Sequence, residues 1–156
     1  NLPYNISTPI LFKLFDYLEK IQDMHFLLQK EVVFRMAAQP GTKAYGRLSV
    51  MTQYFCDVKP GILVPPQAFT PPPKVDSYTV SLTPHQSPPC RANHFEQFEC
   101  IVRQAFSQRR KTINNALKKL IDTTCLESLN IQPTLRPEQL SIADYVKISN
   151  NAPRNQ

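Results

Sequence analysis

The sequence predicts an α/β fold, the second half of a sheet domain, followed by a small all-helical domain. Three observations carry this. Residues 7–82 read as helix, strand, helix, helix, strand, loop, strand, an α/β order without the opening strands of its sheet. Residues 84–93, Pro-His-Gln-Ser-Pro-Pro-Cys-Arg-Ala-Asn, break every periodicity and read as a linker. Beyond them apolar residues recur at helical spacing alone. The expected boundaries are 1–83 for the α/β part, 84–93 for the linker and 94–156 for the helical domain. The chain opens on Asn1 rather than Met, inside what reads as a site, and is expected to be the C-terminal part of a longer protein.

Each element has its own signal. Ser7 or Thr8 is expected to cap a first helix with Pro9 in its first turn. Ile10, Leu11, Leu14, Phe15 and Leu18 then keep the helical spacing to about Lys20. His25 to Gln29 is a short apolar run and reads as a buried strand, with His25 a satisfied core residue. A helix over 31–38 ends at Gln39-Pro40-Gly41, and 43–46 is a loop. Leu48, Met51, Tyr54 and Phe55 space a helix over 47–55. Residues 57–64 read as a strand whose Pro60-Gly61 marks an edge or a bulge. Pro65 to Pro73 is a rigid, polyproline-like loop with Phe69 in its middle. Residues 76–82 alternate as a strand, antiparallel to the one before it. In the second domain Phe95, Phe98, Val102, Ala105 and Phe106 line one helix face. Ile113, Leu117, Leu120 and Ile121 line another. A short helix closes over 128–131 before Pro133, and Ser141 caps a last one through Ile148.

Composition sets the class. With 42% hydrophobic residues, nine Phe and six Tyr, the 156-residue chain can bury a real core. Fifteen prolines against three glycines cluster at 60–73 and 84–89, so they build particular turns. The net charge of +6 favours a polyanionic partner. Much of it lies in 103–119, where Arg103, Arg109, Arg110, Lys111, Lys118 and Lys119 stand without one acid. A solvated helix face usually mixes both signs. Cys56, Cys90, Cys100 and Cys125 form no C-x-x-C pair, so free thiols are expected and no metal site. No apolar stretch is long enough to span a membrane. The expected localisation is cytoplasmic.

Two segments carry chemistry. Asn1-Leu2-Pro3-Tyr4 places an amide, a proline and an aromatic ring in a row. The Asn1 carboxamide can accept one N–H of an exocyclic amine. Proline restricts the backbone, leaving a rigid turn whose carbonyls can accept a second. Tyr4 offers a stacking face, a contact worth roughly 1–3 kcal/mol per base. An ordinary turn is the alternative reading of these four residues. The second segment is Phe69-Thr70-Pro71-Pro72-Pro73-Lys74-Val75-Asp76-Ser77. Its prolines hold Phe69 in place, so its ring meets a ligand at small entropic cost. A loop anchored by a buried Phe is the alternative. Together Tyr4 and Phe69 form a clamp of the kind that base-acting enzymes close on an extruded nucleotide.

Asn1 to Ser7, Phe69 to Ser77 and Gln108-Arg109-Arg110-Lys111-Thr112 resemble the KsgA-type ribosomal RNA adenine N6-dimethyltransferases. Leu27 to Val32 and Ala44 to Val50 are similar to that family's bacterial members. The resemblance covers nearly the whole chain. It implies a Rossmann-like methyltransferase domain followed by a small helical domain. It implies transfer of two methyl groups from S-adenosylmethionine to each of two adjacent adenosines near the 3′ end of small-subunit rRNA, coupled to ribosome assembly.

The same resemblance implies the residue roles. Asn1 and the backbone of Pro3 hold the adenine N6 amine beside the cofactor's methyl group, which is a gain in orientation. Asn rather than Asp at the first position makes general-base catalysis a poor fit. Tyr4 and Phe69 stack on or flank the base. The basic stretch, by its charge, is expected to bind rRNA phosphates through Arg109, Arg110 and Lys111, with Arg103 and Lys118; an ordinary helix start with solvated charges is the alternative. The family's glycine-rich cofactor loop lies upstream of Asn1, so this chain alone is expected to bind no cofactor and to be inactive. The expected partners are small-subunit rRNA and the immature small subunit, no membrane, with a monomeric full-length protein. Two alternatives stand beside this reading. One is a large-subunit rRNA adenine methyltransferase. The other is a non-catalytic RNA-binding ribosome-assembly or transcription factor of the same fold, which would have no need of Asn1, Tyr4 and Phe69.

Overall fold

A computed structural model of the chain describes residues 1–153. They fall into two compact units, one of 1–37 and 52–87, the other of 38–51 together with 88 onward. The expected boundary left 38–51 with the α/β part, whereas the structure groups that segment with the C-terminal helices.

The first unit holds α1 (Ser7–Leu14), which continues as a 3-10 helix over Phe15–Lys20, then β1 (Met24–Gln29), α2 (Lys30–Ala37), β2 (Cys56–Val64) and β3 (Ser77–Pro84). The helix α3 (Arg47–Phe55) begins among the residues of the second unit and ends among those of the first. The sheet order is β1-β3-β2, with β3 antiparallel to both neighbours. The register stacks one face into rungs. Met24, Leu82 and Val58 form the first, Phe26, Val80 and Pro60 the second, and Leu28, Tyr78 and Leu63 the third. Met24, Leu28, Val80 and Leu82 are buried. Each such side chain contributes roughly 1.5–3 kcal/mol.

A one-residue slip would turn this face to solvent. The strand β2 absorbs one extra residue between Pro60 and Leu63, which brings Leu63 back opposite Tyr78. Gly61 makes this bulge possible. A Cβ there would lie 2.2 Å from Thr79 Oγ1, the atom that accepts the Ile62 N–H at 2.8 Å.

Two local expectations change. His25 is exposed and faces Asp23 at 3.2 Å, because strand alternation puts it on the opposite face from Met24 and Leu28. The first helix begins on Ile6 without a side-chain cap. Ser7 is already helical and buried, and its hydroxyl donates back to the Tyr4 carbonyl at 3.1 Å.

The second unit holds α4 (Phe95–Ser107), α5 (Ile113–Leu117), α6 (Thr123–Ser128) and α7 (Ile142–Asn151). Phe98, Ile101, Val102 and Ala105 make the buried stripe of α4, at helical spacing. Caps set the other starts. Asp122 accepts from Cys125 N at 2.7 Å, and Ser141 and Asp144 cap each other's backbone N–H groups at 3.1 and 3.0 Å.

Candidate functional site

Asn1, Leu2, Pro3 and Tyr4 line one recess together with Phe69, Pro71 and Pro73. Its volume is about 300 Å³. The two segments that the sequence singled out, 65 residues apart between Tyr4 and Phe69, therefore form a single open site. Turns hold both walls. Ile6 N donates to the Pro3 carbonyl at 3.2 Å, closing the turn that sets the angle of Tyr4. On the other wall, Pro66–Ala68 makes one 3-10 turn, and Phe69 N donates to the Pro66 carbonyl at 3.1 Å. The Phe69 and Tyr4 rings are each half-buried, so each keeps a face for a ligand.

Ser77 joins the two walls. Buried at the start of β3, it hydrogen-bonds the Tyr4 hydroxyl through its own. Its backbone pairs with Gln29 on β1. Ser77 stands at the end of the second motif, where a small hydroxyl in a strand carries no signal of its own.

The acceptors around Asn1 also become specific. The Pro3 carbonyl already holds the Ile6 N–H and keeps one lone pair. The Leu2 carbonyl makes no hydrogen bond among the described residues. The Asn1 side chain is exposed at the mouth. An amide oxygen, an unengaged backbone carbonyl and two aromatic rings suit a flat base with an exocyclic amine, which has two N–H donors to place.

The basic stretch divides. The Arg109 guanidinium donates to the Lys43 carbonyl at 2.6 Å and lies 3.8 Å from the Glu138 carboxylate. Gly41 N donates to the Glu138 carbonyl at 2.7 Å, and the Tyr45 ring meets Phe106 edge-on at 6.1 Å. Arg109 thus fastens segment 38–51 to the helices of its own unit. Burial, then Asp144, pushes the Tyr45 hydroxyl far above its ordinary range, and burial does the same to Tyr145, whose hydroxyl donates to the Pro137 carbonyl at 2.7 Å. Arg47 pairs with Glu99 at 2.8 Å. Arg103, Arg110, Lys111 and Lys118 are exposed and make no ion pair among the described residues.

Among the described residues no group of three or more His, Cys, Asp or Glu side chains stands close enough to hold a metal ion. No described helix is long and apolar enough to cross a membrane. The four cysteines are unpaired thiols.

Comparison with known proteins follows the same lines. Residues 1–153 match the family described as Ribosomal RNA adenine dimethylase. The Ribosomal RNA small subunit methyltransferase A of Vibrio cholerae is 56% identical over 150 residues, which cover 96% of this chain and 55% of that protein. The protein of the same name from Cronobacter sakazakii is 55% identical with the same coverage. The chain thus spans about half the length of these relatives. A crystal structure of a dimethyladenosine transferase from Plasmodium falciparum superposes with a TM-score of 0.81 at 27% identity, over 95% of this chain and 63% of that one. The 23S rRNA methyltransferase ErmE shares the fold, with a TM-score of 0.68 at 21% identity, over 95% of this chain and 61% of its own. With the family matched from Asn1 through both walls of the recess and on through the helices of the second unit, this chain belongs to the ribosomal RNA adenine dimethylases.

Proposed function

We propose that this chain supplies the target-base site and the RNA-binding helices of an S-adenosylmethionine-dependent adenine N6-dimethyltransferase. Its substrate is a pair of adjacent adenosines near the 3′ end of small-subunit rRNA, met on the immature subunit. The observation that carries the reading is the shared recess of Asn1–Tyr4 and Phe69. The choice of the small subunit follows the Vibrio cholerae and Cronobacter sakazakii relatives.

When bound, S-adenosylmethionine supplies a methyl group on a positively charged sulfur. The residues present fit the acceptor side of that chemistry. The three glycines, Gly41, Gly46 and Gly61, do not make a glycine-rich run. At the recess, Asn1 Oδ1 accepts one hydrogen of the N6 amine, and a turn carbonyl, Pro3 or the unengaged Leu2, accepts the other. Both contacts are orienting, and positioning of this kind is a large part of enzymatic rate enhancement. Tyr4, anchored by Ser77, and Phe69 hold the ring plane. The recess is open, so the amine proton has solvent to leave to. The Asn1 side chain carries no charge and no base is needed at it.

In the second unit, Arg110, Lys111, Arg103 and Lys118 are the exposed cations for rRNA phosphates, with Arg109 holding the loop beside them in place. The full-length protein is read as a cytoplasmic monomer that acts during subunit assembly.

The test is methyl transfer by full-length protein to small subunits purified from cells lacking the modification. The expected product is N6,N6-dimethyladenosine at two adjacent positions, detected by mass spectrometry of rRNA fragments. Labelling confined to large-subunit rRNA would favour the other rRNA methyltransferase reading. Tight subunit binding without any transfer would favour the non-catalytic one.

A further inference from the structure

A second cleft, of about 570 Å³, has no role in the reading above. One wall is Lys30, Glu31 and Phe34 of α2, and the other is Lys74, Val75 and Asp76 at the end of the proline loop. The two openings share that loop as their partition. Pro73 lines the base recess and the very next residue, Lys74, lines the cleft. Consecutive Cα atoms stand about 3.8 Å apart, less than the span of one nucleotide. Ser77 repeats the connection, since its hydroxyl holds Tyr4 of the recess while its backbone pairs with Gln29 of the cleft.

The cleft presents an ordered aromatic face. Phe34 is 46% exposed, in a helix that fully buries Val33 and Met36. Its ring is braced edge-on by Tyr78 at 5.2 Å and 75°, with Lys30 Nζ 5.9 Å from its centroid. Val75, 45% exposed, adds an apolar surface across from it. The charges sort by sign. Glu31 is ion-paired with Arg35, and Asp76 faces Lys30 at 4.0 Å. Lys74 makes no hydrogen bond or ion pair among the described residues. The open groups are thus one aromatic ring and one cation, lining the same cleft from its two walls.

We propose that this cleft seats the nucleotide next to the target adenosine, with its base on Phe34 and its phosphate at Lys74. The inference rests on the functional reading for what occupies the recess. A ring for the base and a cation for the backbone in one cleft are the usual platform for single-stranded nucleic acid, and such stacking tolerates any base. An extruded base brings its neighbours with it, and with Pro73 lining the recess and Lys74 the cleft, the next nucleotide along the strand is within reach of the cleft. RNA is favoured over a protein partner by this continuity and by the unpaired cation.

The test uses full-length protein and an rRNA hairpin carrying the target, with 5-iodouridine placed in turn at each flanking nucleotide. Irradiation should cross-link Phe34 to the nucleotide immediately beside the target, and positions three or more away should give no such peptide. Phe34→Ala should abolish the cross-link and Phe34→Tyr should keep it. In turnover, Phe34→Ala should raise KM for RNA about 5- to 150-fold, the range expected for one lost base stack, and lower kcat much less. Lys74→Gln should raise KM and flatten its salt dependence by roughly 0.7–0.9 in log–log slope, as for one lost phosphate contact. Lys74 is exposed, so its variant reports on RNA contact without a folding cost. No Phe34 cross-link and an unchanged KM would overturn the proposal even with normal methyl transfer. A persistent Phe34 cross-link in a protein that transfers no methyl group would overturn the methyltransferase reading of the recess and keep the cleft only as a seat for RNA.

Discussion

Ser77 lies outside the recess lining, yet its removal should slow methyl transfer, because it acts through Tyr4. Ser77→Ala in the full-length enzyme deletes the partner of the Tyr4 hydroxyl. A neutral hydrogen bond of this kind contributes roughly 0.5–1.5 kcal/mol net. Tyr4 is half-buried, so water replaces part of the loss and the lower half of that range applies. The melting temperature should fall by about 1–4 °C. The rate should fall further than this stability change suggests. A displacement of about 1 Å in a positioning group can cost on the order of 10²-fold, and this bond ties the Tyr4 ring to β3. Single-turnover methyl transfer at saturating RNA and cofactor measures it, with KM for RNA as the control that should hold. Tyr4→Phe keeps the ring and loses the same bond. If Ser77 works through that hydroxyl, the double variant should be no slower than the slower single one, so that the two effects fail to add. Losses that multiply in the double variant would refute the reasoning and assign Ser77 a separate role in β3.

Asn1→Ala should lower the transfer rate on the order of 10²-fold, as for loss of one hydrogen bond specific to the transition state, while subunit binding stays intact; near-normal turnover would remove Asn1 from the site. Phe69→Ala should damage catalysis much more than Phe69→Tyr, since stacking needs the ring and is indifferent to its para position, and equal losses in a rate assay would point to packing instead. Neutralising Arg110 and Lys111 should weaken subunit binding and flatten its salt dependence by roughly 0.7–0.9 in log–log slope per lost phosphate contact, with the fold unchanged by circular dichroism. Arg109→Ala should behave differently, lowering the melting temperature as well, because it breaks the bond to the Lys43 carbonyl and leaves Glu138 without its cation.

What could be read from sequence alone follows the physics of each signal. Periodic apolar spacing placed α1, α3 and α4, and the Pro60-Gly61 pair marked the bulge on β2, because both depend on local geometry. The two walls of the recess were legible for a related reason. A ring held by prolines advertises its rigidity in the residues beside it, so Tyr4 and Phe69 stood out without any knowledge of their approach. His25 misled because an apolar run cannot say which face of a strand each residue takes, and alternation turned it to solvent.

Contacts between distant segments left no trace of that sort. The bond from Ser77 to Tyr4 spans 73 positions and uses two common hydroxyls. Arg109 read as one of three neighbouring cations, equal to Arg110 and Lys111, since charge is visible in a sequence and its partner is not. The structure separates them through a carbonyl of Lys43, 66 positions away, an acceptor that every residue possesses. The same bond explains why 38–51, which looks like a plain connection between two helices, groups with the C-terminal helices. Its Ala44 to Val50 stretch and the Gln108 to Thr112 stretch each carried the family resemblance separately. Arg109 reaching Lys43, Tyr45 against Phe106 and Gly41 bonded to Glu138 show them to be two sides of one packed joint. The charge of Gln108 to Thr112 therefore divides into a structural part, Arg109, packed against the Tyr45 stretch, and an exposed part, Arg110 and Lys111, which is the part proposed for RNA.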